Sequence, residues 1–513
     1  MVKLLTPTPV FFAVLGALGT YYPLGFLIRR NLPWAGAILG LGAALLILLC
    51  LASVINALPA ALVGGSREAR TFRRWGIYLT ALSAGFALGF TARISAPGPV
   101  QLGLPAEQVT GISGILTEDP RGLDDGRGMG YLDLREAAGK GGLRTSAKGR
   151  IPVFFPDGAI PRLQAFGRGS RIYIEGSILP PKPGRGSVGL KSDPLLFRAS
   201  GVHITDPAPA MEQFRTGVRI KLIDQFAPHK WGGLALALLL GVRDNLDTEM
   251  ARAYQKAGCS HVLSLSGMHL AVISSVLAFF LRKPLGLRAA ALTGAAFIVL
   301  YVYLVGVQPS LVRSAIMYLL GMLALLGALP RKAMSLLGMA FLVQIVIWPS
   351  SGDSVSFILS YLALAGILFI GNAFHDLFRG CLPEVVSRPL SASLGAFIAT
   401  AAVMAGFFGT LQPIGIPAGL LIVPLTTLFM LAAMAAPVAG MILPFLSVPL
   451  NRGLSFLYDA LDRLVGVSGR IPSLAVSHAG AVLLVSVIAA VAVFWLRDRR
   501  SAVRNRLVPF NAA

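Results

Sequence analysis

AAALTGAAFIVLYVYLVGVQPSLVRSAIMYLLGMLALLGAL, residues 289–329, carries a single charged side chain, Arg313, in two apolar runs that meet around Gly306–Pro309. Each run, 289–306 and 311–329, reaches across a hydrocarbon core of about 30 Å at about 1.5 Å per residue. The pair therefore sets the fold class: a polytopic α-helical membrane protein. The whole chain agrees. Its 513 residues are 55% hydrophobic and only 13% charged, which excludes an ordinary soluble enzyme of two or three domains. Further spans are expected near 9–28, 34–63, 75–92, 261–281, 334–348, 355–371, 391–410, 414–432, 434–450 and 479–496, about 11–12 transmembrane helices in all. The first lacks a strong basic start and a persuasive small-residue cleavage site, so it reads as a helix rather than a signal peptide.

The charge is lopsided, 45 Lys and Arg against 23 Asp and Glu, a formal +22 with pI near 10.6. Nucleic acid, anionic lipid and membrane orientation each account for such a surplus, and they place it differently. Residues 1–95 hold +7, residues 96–215 hold +3 and residues 216–513 hold +12. Much of the surplus sits in short loops between spans: Arg67/Arg70/Arg73/Arg74, Arg282/Lys283/Arg288, Arg331/Lys332, Arg379/Arg388 and the tail Arg497/Arg499/Arg500/Arg504/Arg506. These share one face, expected to be cytoplasmic, if 414–450 forms two helices that part at Ala435-Ala436-Pro437 and 451–478 stays outside. The basic pI is then mainly an orientation signal and weak support for nucleic acid.

Between the third span and residue 210 the pattern changes to short alternating segments set apart by Gly, Pro and Asp. Strands are expected at Gln108–Leu116, Gly130–Arg135, Arg150–Phe155, Arg171–Leu179 and Leu195–Ile204. Five short strands in about 100 residues fit a small extracytoplasmic β-barrel of the OB type, or a small sandwich. Met211–Phe226 has apolar residues at helical spacing with Arg215, Arg219 and Lys221 between them; it lies on the membrane surface or packs on the barrel. Trp231–Val242 is apolar but too short to span comfortably, and Asn245–Cys259 is helical and more polar. The resulting division is 1–95 N-terminal helices, 96–210 β-rich domain, 211–260 amphipathic and interfacial helices, 261–496 the main bundle and 497–513 a basic tail.

Three motifs carry polar groups at membrane depth, where they are costly unless paired or facing water. LALLLGVRDNLDTEMARAYQKAGCSHVLSLSGMH, residues 236–269, sets Asp244 and His261 ahead of Ser264, Ser266, Gly267 and His269 at the entrance of a span. These residues read either as a helix cap, with Ser266 as N-cap, or as part of a path. Serine-hydrolase chemistry is poorly supported, since SLSGMH lacks the nucleophile-elbow context. GVQPSLVRSAIMY, residues 306–318, places Arg313 in the first turns of a helix. Asp353, Ser356 and Ser360 form a polar stripe at helical spacing, either helix–helix glue or the wall of a polar path. Arg313 and Asp353 are natural partners for an intramembrane ion pair. Cys50, Cys259 and Cys381 form no CxxC or Cys/His cluster and read as buried thiols.

Taken in order, these three motifs resemble the competence domain of the ComEC family, polytopic inner-membrane proteins implicated in moving transforming DNA into bacteria. The N-terminal spans and β-rich insert resemble the family's N-terminal region with its OB-like domain, so the resemblance covers roughly residues 10–496. It implies a bacterial inner-membrane channel that admits one DNA strand, with the β domain outside and the C-terminus in the cytoplasm. Four departures stand out: no HxHxDH zinc motif of the lactamase-like domain, Gly241-Val-Arg before Asp244 where the family often has Gly-Asp, Gly419 rather than Asn before Pro424, and no cysteine in the insert.

The pathway residues expected are Asp244, His261, Ser264, Ser266, Gly267, His269, Arg313, Asp353, Ser356 and Ser360. Tyr131, Phe154, Phe155 and Tyr173 either stack on DNA bases or fill the barrel core. No catalytic residue, metal or cofactor is expected. With no Gx4GK[ST] loop, an ATP-driven motor would be a separate partner, as would a nuclease; membrane lipids and a second copy of the chain are further partners. The alternative is a membrane enzyme or small-solute transporter on the same scaffold.

Overall fold

The computed structural model describes residues 8–29, 67–96, 100–122, 127–156, 158–159, 163, 167–179, 195–476 and 478–507. The span expected at 34–63 lies outside the described residues. Among the described residues, helices α1 (Pro9–Arg29) and α2 (Arg67–Ser95) precede a sheet region, and α3 (Ala210–Phe226) leads from it into the remaining helices. Small residues let α1 and α2 approach closely. A Cβ on Gly85 would stand 1.8 Å from the Ala13 carbonyl oxygen, and one on Gly16 2.2 Å from that of Leu82.

The sheet region contains β1 (Gln101–Leu102), β2 (Val109–Leu116), β3 (Arg121–Gly122), β4 (Gly128–Gly139), β5 (Arg144–Lys148), β6 (Arg150–Phe155), β7 (Arg171–Leu179) and β8 (Leu196–Asp206). All five expected strands are present, with β4 longer than expected and β1, β3 and β5 added. Strand β2 pairs antiparallel with β4 and β7, and β7 with β8; β8 runs parallel to β6, and β6 pairs back onto β4. The pairings thus return to the strand where they began. Alternate side chains, among them Ile112, Leu132, Ile151, Val153, Ile172, Ile174 and Phe197, are fully buried in a core of their own.

Helix α3 has the expected extent; its start turns an arginine inward and apolar residues outward, while Phe226 at its end joins the bundle core. Its Arg215 is 1% exposed whereas Met211 and Phe214 are 67% and 69% exposed. The ion network described below offsets the desolvation of the arginine. Next come α4 (Gly232–Leu240), α5 (Thr248–Lys256) and α6 (Ser260–Leu263). Helix α4, almost entirely buried, ends at Gly241 in the left-handed region, and Asp247 caps α5 by accepting from the Glu249 amide at 3.0 Å.

The long helix α7 (Gly267–Val305) cannot be straight. Thirty-nine residues would separate its ends by about 58 Å, yet Ser310 donates to the Leu265 carbonyl at 2.6 Å. It doubles back at Gly286, φ 75°, just after Pro284. The two arms, 267–285 and 287–305, match the two expected spans, with Arg282, Lys283 and Arg288 at the bend. Then follow α8 (Pro309–Leu326), α9 (Ala333–Ile347), α10 (Val355–Gly366), which continues through a π-turn at Ile367–Gly371 into Asn372–Phe378, α11 (Glu384–Phe408), α12 (Gly415–Ile442), α13 (Ser447–Ser468) and α14 (Ala479–Leu507).

Among the described residues, seven helices are long and apolar enough to cross a membrane, while Pro9–Tyr22 and Ala333–Ile347 are shorter apolar helices. One expectation is corrected. Helix α12 runs unbroken across Ala435-Ala436-Pro437, and the chain turns instead at the short 3-10 segment Pro444–Leu446. Pro437 is accommodated within the helix, as prolines in apolar helices are when neighbours satisfy the freed carbonyls. The return is made by α13 rather than by a span at 434–450, so 451–468 runs within the bundle instead of staying outside it: Leu454, Leu461 and Val465 pack in the same core as Ile422 and Phe429 of α12. Parity is therefore kept: Arg497 of α14 pairs with Asp376 at 2.8 Å, at the end of the bundle that holds Arg379 and Arg388.

Candidate functional site

Three carboxylates and three arginines fasten the sheet region to the bundle. Asp119, which follows β2, accepts from Arg215 Nη1 at 3.1 Å and Nη2 at 2.5 Å, and Arg219 Nε stands 3.7 Å away. The same arginines reach the last turn of α7: Arg215 Nε donates to Tyr303 O at 2.9 Å, and Arg219 Nη1 to Val305 O at 2.8 Å. Carbonyls at a helix C-terminus lack intrahelical partners and carry the negative end of the dipole, so two cations suit them. Glu212, bound by Arg168 at 2.5 Å, adds a second acid beside Arg215. Burial acts to raise the Asp119 pKa, but the bonds from Arg215 and the charge of Arg219 outweigh it and hold the carboxyl below the ordinary carboxylate range. The third carboxylate, Asp244, lies beside Gly122 of β3, its Cγ 3.6 Å from where a Cβ would be. None of this junction except Asp244 was singled out from sequence. The pattern of an amphipathic helix does not say what its arginines meet, and only the fold brings Asp119, about 100 residues away, to Arg215.

At the bundle mouth Ser266 is the N-cap of α7. Its amide donates to His269 Nδ1 at 3.2 Å, and its hydroxyl lies 3.0 Å from the same nitrogen. Nδ1 thus acts as acceptor, which leaves the proton of a neutral ring on Nε2. His269 is completely buried, and among the described residues Nε2 has no partner. Ser264 bonds back to the His261 carbonyl at 2.9 Å, and His261 itself is exposed. Gly267, the first residue of α7, packs on α8: a Cβ there would meet Ser314 Oγ at 2.4 Å and Arg313 Nη2 at 3.2 Å.

Arg313 and Asp353 do not pair. Asp353 lies in the 3-10 turn Pro349–Asp353, ahead of α10 rather than on its face, and its carboxylate bonds Arg93 of α2 at 2.8 Å. Helix α10 is instead capped by Ser354, which accepts from the Phe357 amide at 3.2 Å. Tyr22 donates to the Gly352 carbonyl at 3.0 Å and Tyr21 to that of Pro349, so α1 and α2 jointly grip this turn. Arg313, 7% exposed, donates Nη1 to the Ser360 carbonyl at 3.0 Å and approaches Ser314 Oγ at 3.4 Å. Tyr361 lies 5.9 Å from it, ring centroid to guanidinium carbon, and among the described residues Nε has no partner. Ser360 therefore meets Arg313 through its backbone, while Ser356 is exposed.

Of the four aromatic rings expected in the β domain, Phe155 is 1% exposed and belongs to the core. Tyr131 lies beneath Arg150, 4.4 Å from ring centroid to guanidinium, and Phe154 is half-buried opposite Arg198 of β8. Tyr173 lines an open groove of about 430 Å³ with Thr110, Glu175, Ser177, Arg198 and Ser200. Arg198 was missed because its place opposite Ser177 depends on the β7–β8 register. Among the described residues no three His, Cys, Asp or Glu come together as metal ligands.

A multi-pass helical membrane protein with a sheet domain locked to one end of its bundle is the class these features define. The chain belongs to the Competence protein family, whose model matches residues 238–500. It is 28% identical over 247 residues to "ComE operon protein 3" of Bacillus subtilis (strain 168), a match covering 47% of this chain and 30% of that protein. It is also 26% identical over 261 residues to an "Uncharacterized protein" of Aquifex aeolicus (strain VF5), covering 50% of this chain and 60% of that one. The matches thus span less than two thirds of either relative. No solved structure matches the chain.

Proposed function

We propose that this protein is the channel component that carries transforming DNA, as a single strand, across the bacterial cytoplasmic membrane. The observation that carries the reading is the family match over residues 238–500, which contains both α7 arms, α8 and α10 and hence every polar group of the bundle mouth. The sheet domain supports it. Its circuit of pairings, with one parallel step between β6 and β8, fits the reading of an OB-like barrel, a frequent platform for single strands. Its groove offers Tyr173 for stacking and Arg198 for phosphate. The basic loops at the opposite end favour a cytoplasmic tail and an extracytoplasmic sheet domain. A separate motor and nuclease would supply the energy and the single strand.

Uptake of labelled DNA by a strain lacking the gene, and by the same strain complemented, tests this directly. Uptake that survives the deletion would falsify it. In purified full-length protein, Tyr173→Ala with Arg198→Ala is expected to weaken single-strand binding about tenfold or more and to flatten its salt dependence. Unchanged binding would remove the groove from the path.

A further inference from the structure

Arg313 is a guanidinium buried in the bundle. Among the described residues no carboxylate lies within ion-pair distance of it, and its bonds go to one carbonyl and one hydroxyl. Its surroundings add positive potential. Gly267 begins α7 and Pro309 begins α8, and the Gly267–Ser314 approach brings the two helix starts together around the guanidinium. Each helix start carries the positive end of a dipole and amides without intrahelical acceptors. Two buried donors near these helix starts, Arg313 Nε and His269 Nε2, also lack an acceptor among the described residues. A buried donor without an acceptor costs about 1–3 kcal/mol, and an unpaired buried charge more. The usual resolution of converging helix starts and an arginine is an anion.

We infer that the junction of α7 and α8 is an oxyanion site, with Arg313 as its charged ligand, that takes a tetrahedral phosphate group. Gly267 keeps the first turn of α7 free of a side chain that would separate it from the guanidinium. Phosphate suits the site because a fork of guanidinium donors matches its oxygens in pairs. That the phosphate belongs to a nucleic-acid backbone rests on the DNA-transport reading; the oxyanion site does not.

The test uses the purified full-length protein in neutral detergent. Inorganic phosphate should raise its melting temperature by several degrees relative to chloride at equal ionic strength. Arg313→Gln should abolish the shift, and Arg313→Lys, which keeps the charge without the fork, should weaken the apparent affinity about tenfold. Equal melting temperatures in phosphate and chloride overturn the site, and this arm needs no variant to fold. A shift of full size in folded Arg313→Gln overturns the role of the arginine. A short oligothymidylate and vesicles containing phosphatidylglycerol, each competed against phosphate, separate the sources. Competition by the vesicles alone would overturn a nucleic-acid occupant and leave a lipid headgroup. Transport is read independently by DNA uptake in cells: phosphate binding with uptake intact in the deletion strain would retain the site and sink the transport reading.

Discussion

At the scale of single residues, the partner of a charge decides its meaning, and sequence spacing gave the wrong partner for Asp353. Its ion pair is with Arg93, 260 positions away, while Arg313 is left for another ligand. Because Arg93 is 8% exposed and Asp353 about one-third exposed, replacing either is expected to destabilise the protein by about 2 kcal/mol. A double-mutant cycle with Arg93→Ala and Asp353→Asn should show coupling, the double variant losing less than the sum; additivity would mean that the pair contributes nothing. Cys259 is fully buried, and burial pushes its thiol pKa up to about 11, so at neutral pH it is protonated as well as enclosed. Cys381 is exposed. In a Cys50→Ser background, a maleimide at pH 7 should modify Cys381 rapidly and Cys259 only after unfolding. Equal rates would place Cys259 at the surface. The expectation that the thiols are buried thus holds for one of the two described.

At the scale of elements, length and apolar content were enough to place most helices, and alternation placed all five main strands within a few residues. Facing and turning points were not legible in the same way. Helix α3 hides its arginines because Asp119 and the end of α7 receive them. The turn at 443–446 replaced the expected one because a proline does not break an apolar helix when neighbouring groups can donate to the freed carbonyl. Two predictions belong here. Gly85→Leu should force α1 and α2 apart and lower stability by roughly 1–3 kcal/mol, measurable as a drop in melting temperature in detergent; an unchanged melting point would contradict the close approach. For the junction of α3 with the sheet domain, the sign follows from a depressed carboxyl. The stabilisation from Asp119 is fully present above the unfolded value of about 3.9 and is lost as pH falls through the lower folded value. Docking, followed by energy transfer between labels on β7 and α8, should therefore hold from pH 8 to about 4.5 and fail only in stronger acid. In Asp119→Asn it should be weakened at every pH; a midpoint near 6 would implicate some other group.

For the whole molecule, a count of apolar runs and basic loops revealed the class of protein and which loops share an end. The site was legible only as motifs: sequence singled out Ser266, Gly267, His269 and Arg313, but not that Arg313 stands between two helix starts. Orientation is open to a direct test with Cys381, which lies at the basic end near Arg500. A membrane-impermeant maleimide should label it in inverted vesicles and spare it in right-side-out ones, and the reverse would turn the molecule over. One small feature matters at this scale. Thr410–Leu411 after α11 and Leu474–Ala475 before α14 pair as a two-stranded sheet, so the α12–α13 hairpin leaves and re-enters the chain's course at one place. That hairpin packs with α4, α5 and the first arm of α7, whereas α1, α9 and α10 share a separate core. Both connections of the hairpin to the rest of the chain therefore sit within one pair of short strands, which makes it a self-contained insertion whose ends are tied together where it begins.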